Sequence, residues 1–106
     1  MTELLYEFKQ GNKLLVKIEH HSGQRKGYYV MCKTSPKCFL TGYYEEEKTA
    51  VNIAHNYIIS KLSIKQNQNY TMLHYERISQ YIQVYKYVYS GGELVKDGKL
   101  YKTIAA

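Results

Sequence analysis

The stretch Ile78-Ser79-Gln80-Tyr81-Ile82-Gln83-Val84-Tyr85-Lys86-Tyr87-Val88-Tyr89 constrains this chain more than any other. Its even positions carry Ile78, Ile82, Val84 and Val88, interrupted by Gln80 and Lys86, while Tyr81, Tyr85, Tyr87 and Tyr89 occupy odd positions. A strand sends alternate side chains to opposite faces, so this pattern predicts a ribbon with an aliphatic side and a tyrosine side. The aliphatic side is expected to seal a core and the tyrosine side to face outward toward another molecule. A helical stripe through Ile78, Tyr81, Ile82, Tyr85, Val88 and Tyr89 is the alternative reading of the same residues. Branched and aromatic residues favour the strand, because they fit a pleated surface and lose rotamer freedom in a helix.

Taken from the N-terminus, Leu4–Phe8 reads as a strand, Gln10-Gly11-Asn12 as a turn, and Leu14, Val16 and Ile18 as the core side of a second strand. His20 to Gly27 is polar, holds two glycines and reads as a loop. Tyr28–Lys33 and Cys38–Thr41 follow as strands around the turn at Pro36, completing an antiparallel meander. A helix is expected from Glu45 to Ser63. Glu45, Glu46 and Glu47 favour its positive end, and Val51, Ala54, Ile58 and Leu62 form its apolar face, widened by Ala50 and Tyr57. After a polar link at Lys65–Asn69, Tyr70–Glu76 reads as another strand. Gly91-Gly92 then serves as a turn, or as a helix cap in the alternative reading, and Asp97-Gly98 as the centre of a tight hairpin. The expected architecture is α+β: an antiparallel sheet in the order ββββ-α-βββ, with one main helix on one face, forming a single domain over residues 1–106.

At 106 residues, with 44% hydrophobic and 23% charged residues, the chain is long enough for one core without metals or disulfides and is not a disordered tail. No apolar run approaches the roughly 18 residues that a membrane span needs. The acidic start Met1-Thr2-Glu3 is unlike a secretory signal, so a cytoplasmic protein without a membrane partner is expected.

The net charge is +6 and is unevenly placed. Residues 1–49 hold eight Lys/Arg against six Asp/Glu, and residues 50–106 hold seven against three, so the excess lies in the tyrosine-rich half. A positive field of this kind attracts nucleic acid or acidic protein surfaces. Thirteen tyrosines and no tryptophan add apolar bodies with polar tips, suited to interfaces, to base stacking or to cross-strand pairs within a sheet.

Two sets of basic and aromatic residues are candidates for binding nucleic acid or a partner protein. One is Arg25 and Lys26 with Lys33 and Lys37. The other is the tyrosine face, Tyr81, Tyr85, Tyr87 and Tyr89, with Lys96 and Lys99 and with Lys102 nearby. Lys86 alternates onto the aliphatic side and would contribute only near a sheet edge. Cys32, Cys38, His20 and His21 are weak zinc candidates. Their Cys-x5-Cys spacing and adjacent histidines are unlike the usual knuckle, and two small buried thiols are the simpler reading. No cofactor is expected.

Tyr28-Tyr29-Val30-Met31-Cys32, then Cys38, then Tyr44-Glu45-Glu46-Glu47-Lys48-Thr49-Ala50-Val51 resembles the second half of the Lar-type restriction-alleviation proteins, small proteins of phages and prophages. The similarity covers about a quarter of the chain. The family's Cys-x2-Cys knuckles are absent, and His20-His21 stands where the first would be. The resemblance implies phage or viral accessory equipment, and an antagonist of host defence is one form of it.

No Gly-rich phosphate cradle, Ser-His-Asp set or carboxylate pair stands out. The expected function is a small basic binding protein without catalysis, acting on nucleic acid or on a host protein that handles it. A homodimer through an open sheet edge is also expected. The alternatives are a small nuclease or hydrolase using His20, His21, His55 or His74, and a structural dimerising domain with no nucleic-acid role.

Overall fold

The computed structural model describes the chain except residues 1, 24, 25, 35, 36 and 62–67, and leaves aside the side chains of residues 34 and 37–39. Seven antiparallel strands form one sheet: β1 (Thr2–Gln10), β2 (Lys13–His21), β3 (Gly27–Thr34), β4 (Lys37–Tyr44), β5 (Asn69–Ile78), β6 (Tyr81–Ser90) and β7 (Glu93–Ala105). One helix, α1 (Glu47–Ser60), lies between β4 and β5. The element order is the expected ββββ-α-βββ, with strands dominating. Across the sheet the strands run β4-β3-β2-β1-β5-β6-β7, so two meanders grow outward from a central antiparallel β1–β5 pair. No helix among the described residues is long and apolar enough to cross a membrane.

The helix packs on β2, β3 and β4 through Ala50, Ala54 and Ile58, spaced four apart on one face and fully buried. Opposite them lie Val16, Ile18 and Val30, with Phe8 and Met72 carrying the core across the β1–β5 seam. Two bulges shape this region. Leu5 is the extra residue of β1 and Leu15 that of β2, and Leu15 and Val16 are both buried, which thickens the core where the helix crosses. The helix is shorter than expected at both ends: Glu46 is its extended N-cap and Lys61 its C-cap. Tyr43 and Tyr44 belong to β4 rather than to a helix lead-in. Leu62 and Ser63, expected in the helix, lie outside the described residues, as do Ser35 and Pro36.

Three expectations for the C-terminal half need correction. First, residues 78–89 are not one ribbon. Ile78 ends β5, Ser79 and Gln80 form a two-residue turn with Ser79 in the left-handed region (φ 56°), and β6 starts at Tyr81. A two-residue hairpin requires such positive φ, and Ser79 supplies it where glycine is the commoner choice.

Second, Asp97-Gly98 is no turn but lies inside the 13-residue β7. The turn is Gly91-Gly92, both at positive φ. Gly98 is needed for space, because the ring of Tyr87 lies against its backbone and an added Cβ would come within 2.3 Å of that ring.

Third, the tyrosine side does not face outward. The register pairs Tyr6 with His74 and His74 with Tyr85, then Phe8 with Met72 and Met72 with Tyr87, so the tyrosines of β6 share the helix side of the sheet. Tyr87 and Tyr89 pack against the core, and only Tyr81 is well exposed. On this side His55 of the helix meets Phe8, Tyr70 and Tyr89, so rings of β5 and β6 pack beside the helix rather than facing away from it. The aliphatic side, with Val84 fully buried, belongs to the opposite face.

Candidate nucleic-acid interface

The face of the sheet opposite the helix is built by register. Across β1, β5, β6 and β7, one row reads Lys9, Thr71, Val88, Lys96, and the next reads Glu7, Leu73, Lys86, Lys99. In the third row Tyr75 pairs with Val84 and Val84 with Lys102, and Ile82 and Ile104 pair below them. A bulge between Val84 and Tyr85 leaves Tyr101 as the extra residue of β7. Its ring lies on this same face, with Lys86 Nζ at 5.3 Å and Lys102 Nζ at 5.7 Å from its centroid.

Lys86 and Lys102 therefore flank a ring that is 55% exposed, with Lys99 and Lys96 further along β7 and Lys9 three strands away on the same face. Asp97 and Glu7 are the acidic groups nearby, and Glu7 already accepts a hydrogen bond from the Tyr75 hydroxyl. Burial, and then that bond, push the Tyr75 hydroxyl far above the usual tyrosine range. Lys86, Val88, Lys96, Lys99 and Tyr101 line a cleft of about 540 Å³. Beneath the charges, Leu73 and Val84 are buried and give the patch a rigid floor.

Of the candidates named from the sequence, Lys86, Lys96 and Lys99 come together here. Lys86 was expected on this aliphatic side, and it is this side, not the tyrosine side, that carries the β7 lysines. Tyr81, Tyr85, Tyr87 and Tyr89 point to the helix side: Tyr85 donates to Gln83 Oε1 at 2.7 Å, and Tyr89 stacks on Tyr70 with centroids 5.7 Å apart. Lys33 is exposed on β3, remote from β7 in the strand order. Lys26 lines a separate cleft with His20, Tyr28, Tyr43 and Glu45. Arg25 and the side chain of Lys37 lie outside the described residues. The ring at the centre of the patch, Tyr101, was missed, since the bulge that turns it to this face cannot be read from alternation.

The zinc candidates are not brought together. His20 and His21 are neighbours in a strand and face opposite ways, His20 against Tyr28 (4.8 Å) and His21 stacked on Tyr29 (3.9 Å) with Glu19 at 3.3 Å. Cys32 is buried on the helix side, and the backbone register pairs Cys38 with Lys33 rather than with Cys32. The side chain of Cys38 lies outside the described residues. Among the described residues no three His, Cys, Asp or Glu groups are placed to hold a metal.

The remaining histidines serve packing. His74 stacks on Tyr6 at 4.6 Å, and Tyr6 in turn donates to Glu47 at the helix start (3.2 Å). His55 projects from α1 among Phe8, Tyr70 and Tyr89, and its Nδ1 shares a 2.8 Å hydrogen bond with the Tyr70 hydroxyl. Burial lowers its pKa to about 4 and raises that of Tyr70 to about 12. A histidine whose pKa falls on folding takes up its proton more readily when unfolded. His55 therefore contributes stability that is fully present above pH ~6.5 and is lost as pH falls through about 4. Urea unfolding of the wild type is expected to lose about 2 kcal/mol across that window, allowing for partial solvent access to the ring, with a flatter profile in His55→Leu. Equal slopes in the two proteins would show that His55 is not the responsible group.

No protein-family model, curated protein or solved structure matches the chain.

Proposed function

We propose that this chain is a non-catalytic nucleic-acid-binding protein that works through the sheet face opposite its helix. The observation that carries the reading is the gathering of four lysines of β6 and β7 on the face that holds the exposed ring of Tyr101, with Lys9 of β1 in the same row as Lys96. Lysines neutralise phosphates and release their counterions, while an exposed ring offers a surface for bases. His55, His74, His20 and His21 are engaged with neighbouring rings, which supports binding over acid–base chemistry. The partial resemblance to Lar-type proteins suggests a phage or viral accessory role for such a binder, including action against a host protein that handles nucleic acid.

The test is anisotropy of a labelled oligonucleotide titrated at several salt concentrations. Four or five phosphate contacts predict a slope of log affinity on log salt of roughly −3 to −5. Absence of binding at about 50 mM salt, where such contacts are strongest, would overturn the reading.

A second reading, a homodimer through β7, is favoured by one further observation. Leu94, Val95, Leu100, Tyr101 and Ile104 are exposed along this strand, whose outer edge has no neighbour in the sheet. Sedimentation at several protein concentrations tests it: a monomer throughout would exclude it.

A further inference from the structure

We infer that the ligand of this face is a single strand of nucleic acid rather than a duplex, with Tyr101 as its stacking residue. The inference rests on the binding role proposed above and names its substrate class. Reading a duplex from within requires an element narrow enough for a groove about 12 Å wide, such as a helix or a two-stranded ribbon. Here the only described helix lies on the other side of the sheet, and β6 and β7, which carry four of the five lysines, are continuous with β5 and β1 rather than a free two-stranded ribbon. Three strand spacings of about 4.8 Å give a platform some 14 Å across before side chains are added. Such a surface does not enter a groove.

The second ground is Tyr101 itself. Phosphates alone call for cations, and a duplex presents its bases only by their edges, so a ring on the binding face has nothing to stack on. An unpaired base has an accessible face, and stacking on tyrosine is tolerant of sequence. Tyr101 is 55% exposed, and the ammonium groups of Lys86 and Lys102 lie 5.3 and 5.7 Å from its centre. The two ammonium groups lie over the ring, and a base that takes their place there brings its own phosphates within reach of them. Lys99 and Lys96 extend the cationic track along β7.

The experiment compares labelled oligo(dT) and oligo(U) with a hairpin duplex of matched charge and with polyphosphate, for the wild type, Tyr101→Ala and Tyr101→Phe. The wild type is expected to bind a single strand at least tenfold tighter than the duplex. Tyr101→Ala is expected to lose about 5- to 100-fold on the single strand, the value of one stacked base, and at least fivefold less than that on polyphosphate. Tyr101→Phe keeps the ring and is expected to stay within about twofold of the wild type. Equal or tighter binding of the duplex would overturn the inference, as would equal losses by Tyr101→Ala on oligonucleotide and polyphosphate. Those results would leave the proposed nucleic-acid role standing. Failure of every nucleic acid to bind at low salt would remove the role and the inference together. Circular dichroism of Tyr101→Ala reports its folding, and an unfolded variant is replaced by Tyr101→Leu, read by the same criteria.

Discussion

Replacing Phe8 by alanine is expected to cost about 3–5 kcal/mol, a large share of the roughly 5–15 kcal/mol that holds a domain of this size together. Phe8 has no solvent exposure and sits where three parts of the core meet. It pairs with Val16 of β2 on one side and Met72 of β5 on the other, and its ring meets His55 of the helix edge-on at 5.1 Å. The partners are held in place by the sheet and the helix, so the space left by the ring closes poorly and the cavity adds to the lost transfer energy. The measurement is urea unfolding, with a fall in midpoint at unchanged slope. Tyr81→Ala serves as the comparison. Its ring is 57% exposed, and it is expected to change stability by no more than about 0.5 kcal/mol. A cost below about 1 kcal/mol at Phe8 would show that the β1–β5 seam is not the centre of the core.

Lys99→Glu is expected to change stability and binding in opposite directions. Lys86 and Lys99 lie directly opposite each other on β6 and β7, an arrangement that destabilises a sheet when both are positive. A glutamate at 99 turns the repulsion into a cross-strand ion pair. The gain is expected to be about 0.2–1 kcal/mol, modest because both groups are solvated. Affinity for an oligonucleotide is expected to fall at least tenfold at about 50 mM salt, with a shallower salt dependence, since one phosphate contact is lost and a negative charge takes its place. Thermal unfolding and anisotropy on the same sample measure both. A stabilised protein with unchanged affinity would place the interface elsewhere. A destabilised protein would contradict the pairing of the two lysines. Residues that cost a protein stability in isolation and repay it only with a ligand are expected at binding sites, and this pair has that character.

Much of the fold was legible because meanders and amphipathic helices depend on local signals. Alternation at Leu14, Val16 and Ile18 marked β2, although the bulge buries Leu15 in place of Leu14. The steps Val51, Ala54, Ile58 and Leu62 marked α1, whose buried face is Ala50, Ala54 and Ile58, and the order of elements followed. Which side of β6 meets the helix was not legible from alternation, since period two defines two faces without saying what covers either. Asp97-Gly98 misled for a related reason. Glycine serves a tight turn and a close approach equally well, and only the partner strand, through Tyr87, shows which applies.

The binding face was the least legible part. Lys86 and Lys99 face each other across the β6–β7 hairpin, while Lys9 shares their face only through the register of four strands. Tyr101 joins them because β7 carries an extra residue there. Bulges of this kind have no reliable signature in one sequence, yet they re-aim the side chains on which function turns.

Five of the six strand pairings join neighbours in the chain, and only the β1–β5 pair does not. That pair brings Tyr6 to His74 and Lys9 to Thr71, closing a loop that holds β2, β3, β4 and the whole helix. The entropy of ring closure is therefore concentrated in a single event, while every other pairing forms between adjacent segments at small cost. Assembly of the molecule thus has one topologically expensive step, and the residues that reward it are Phe8 and Met72.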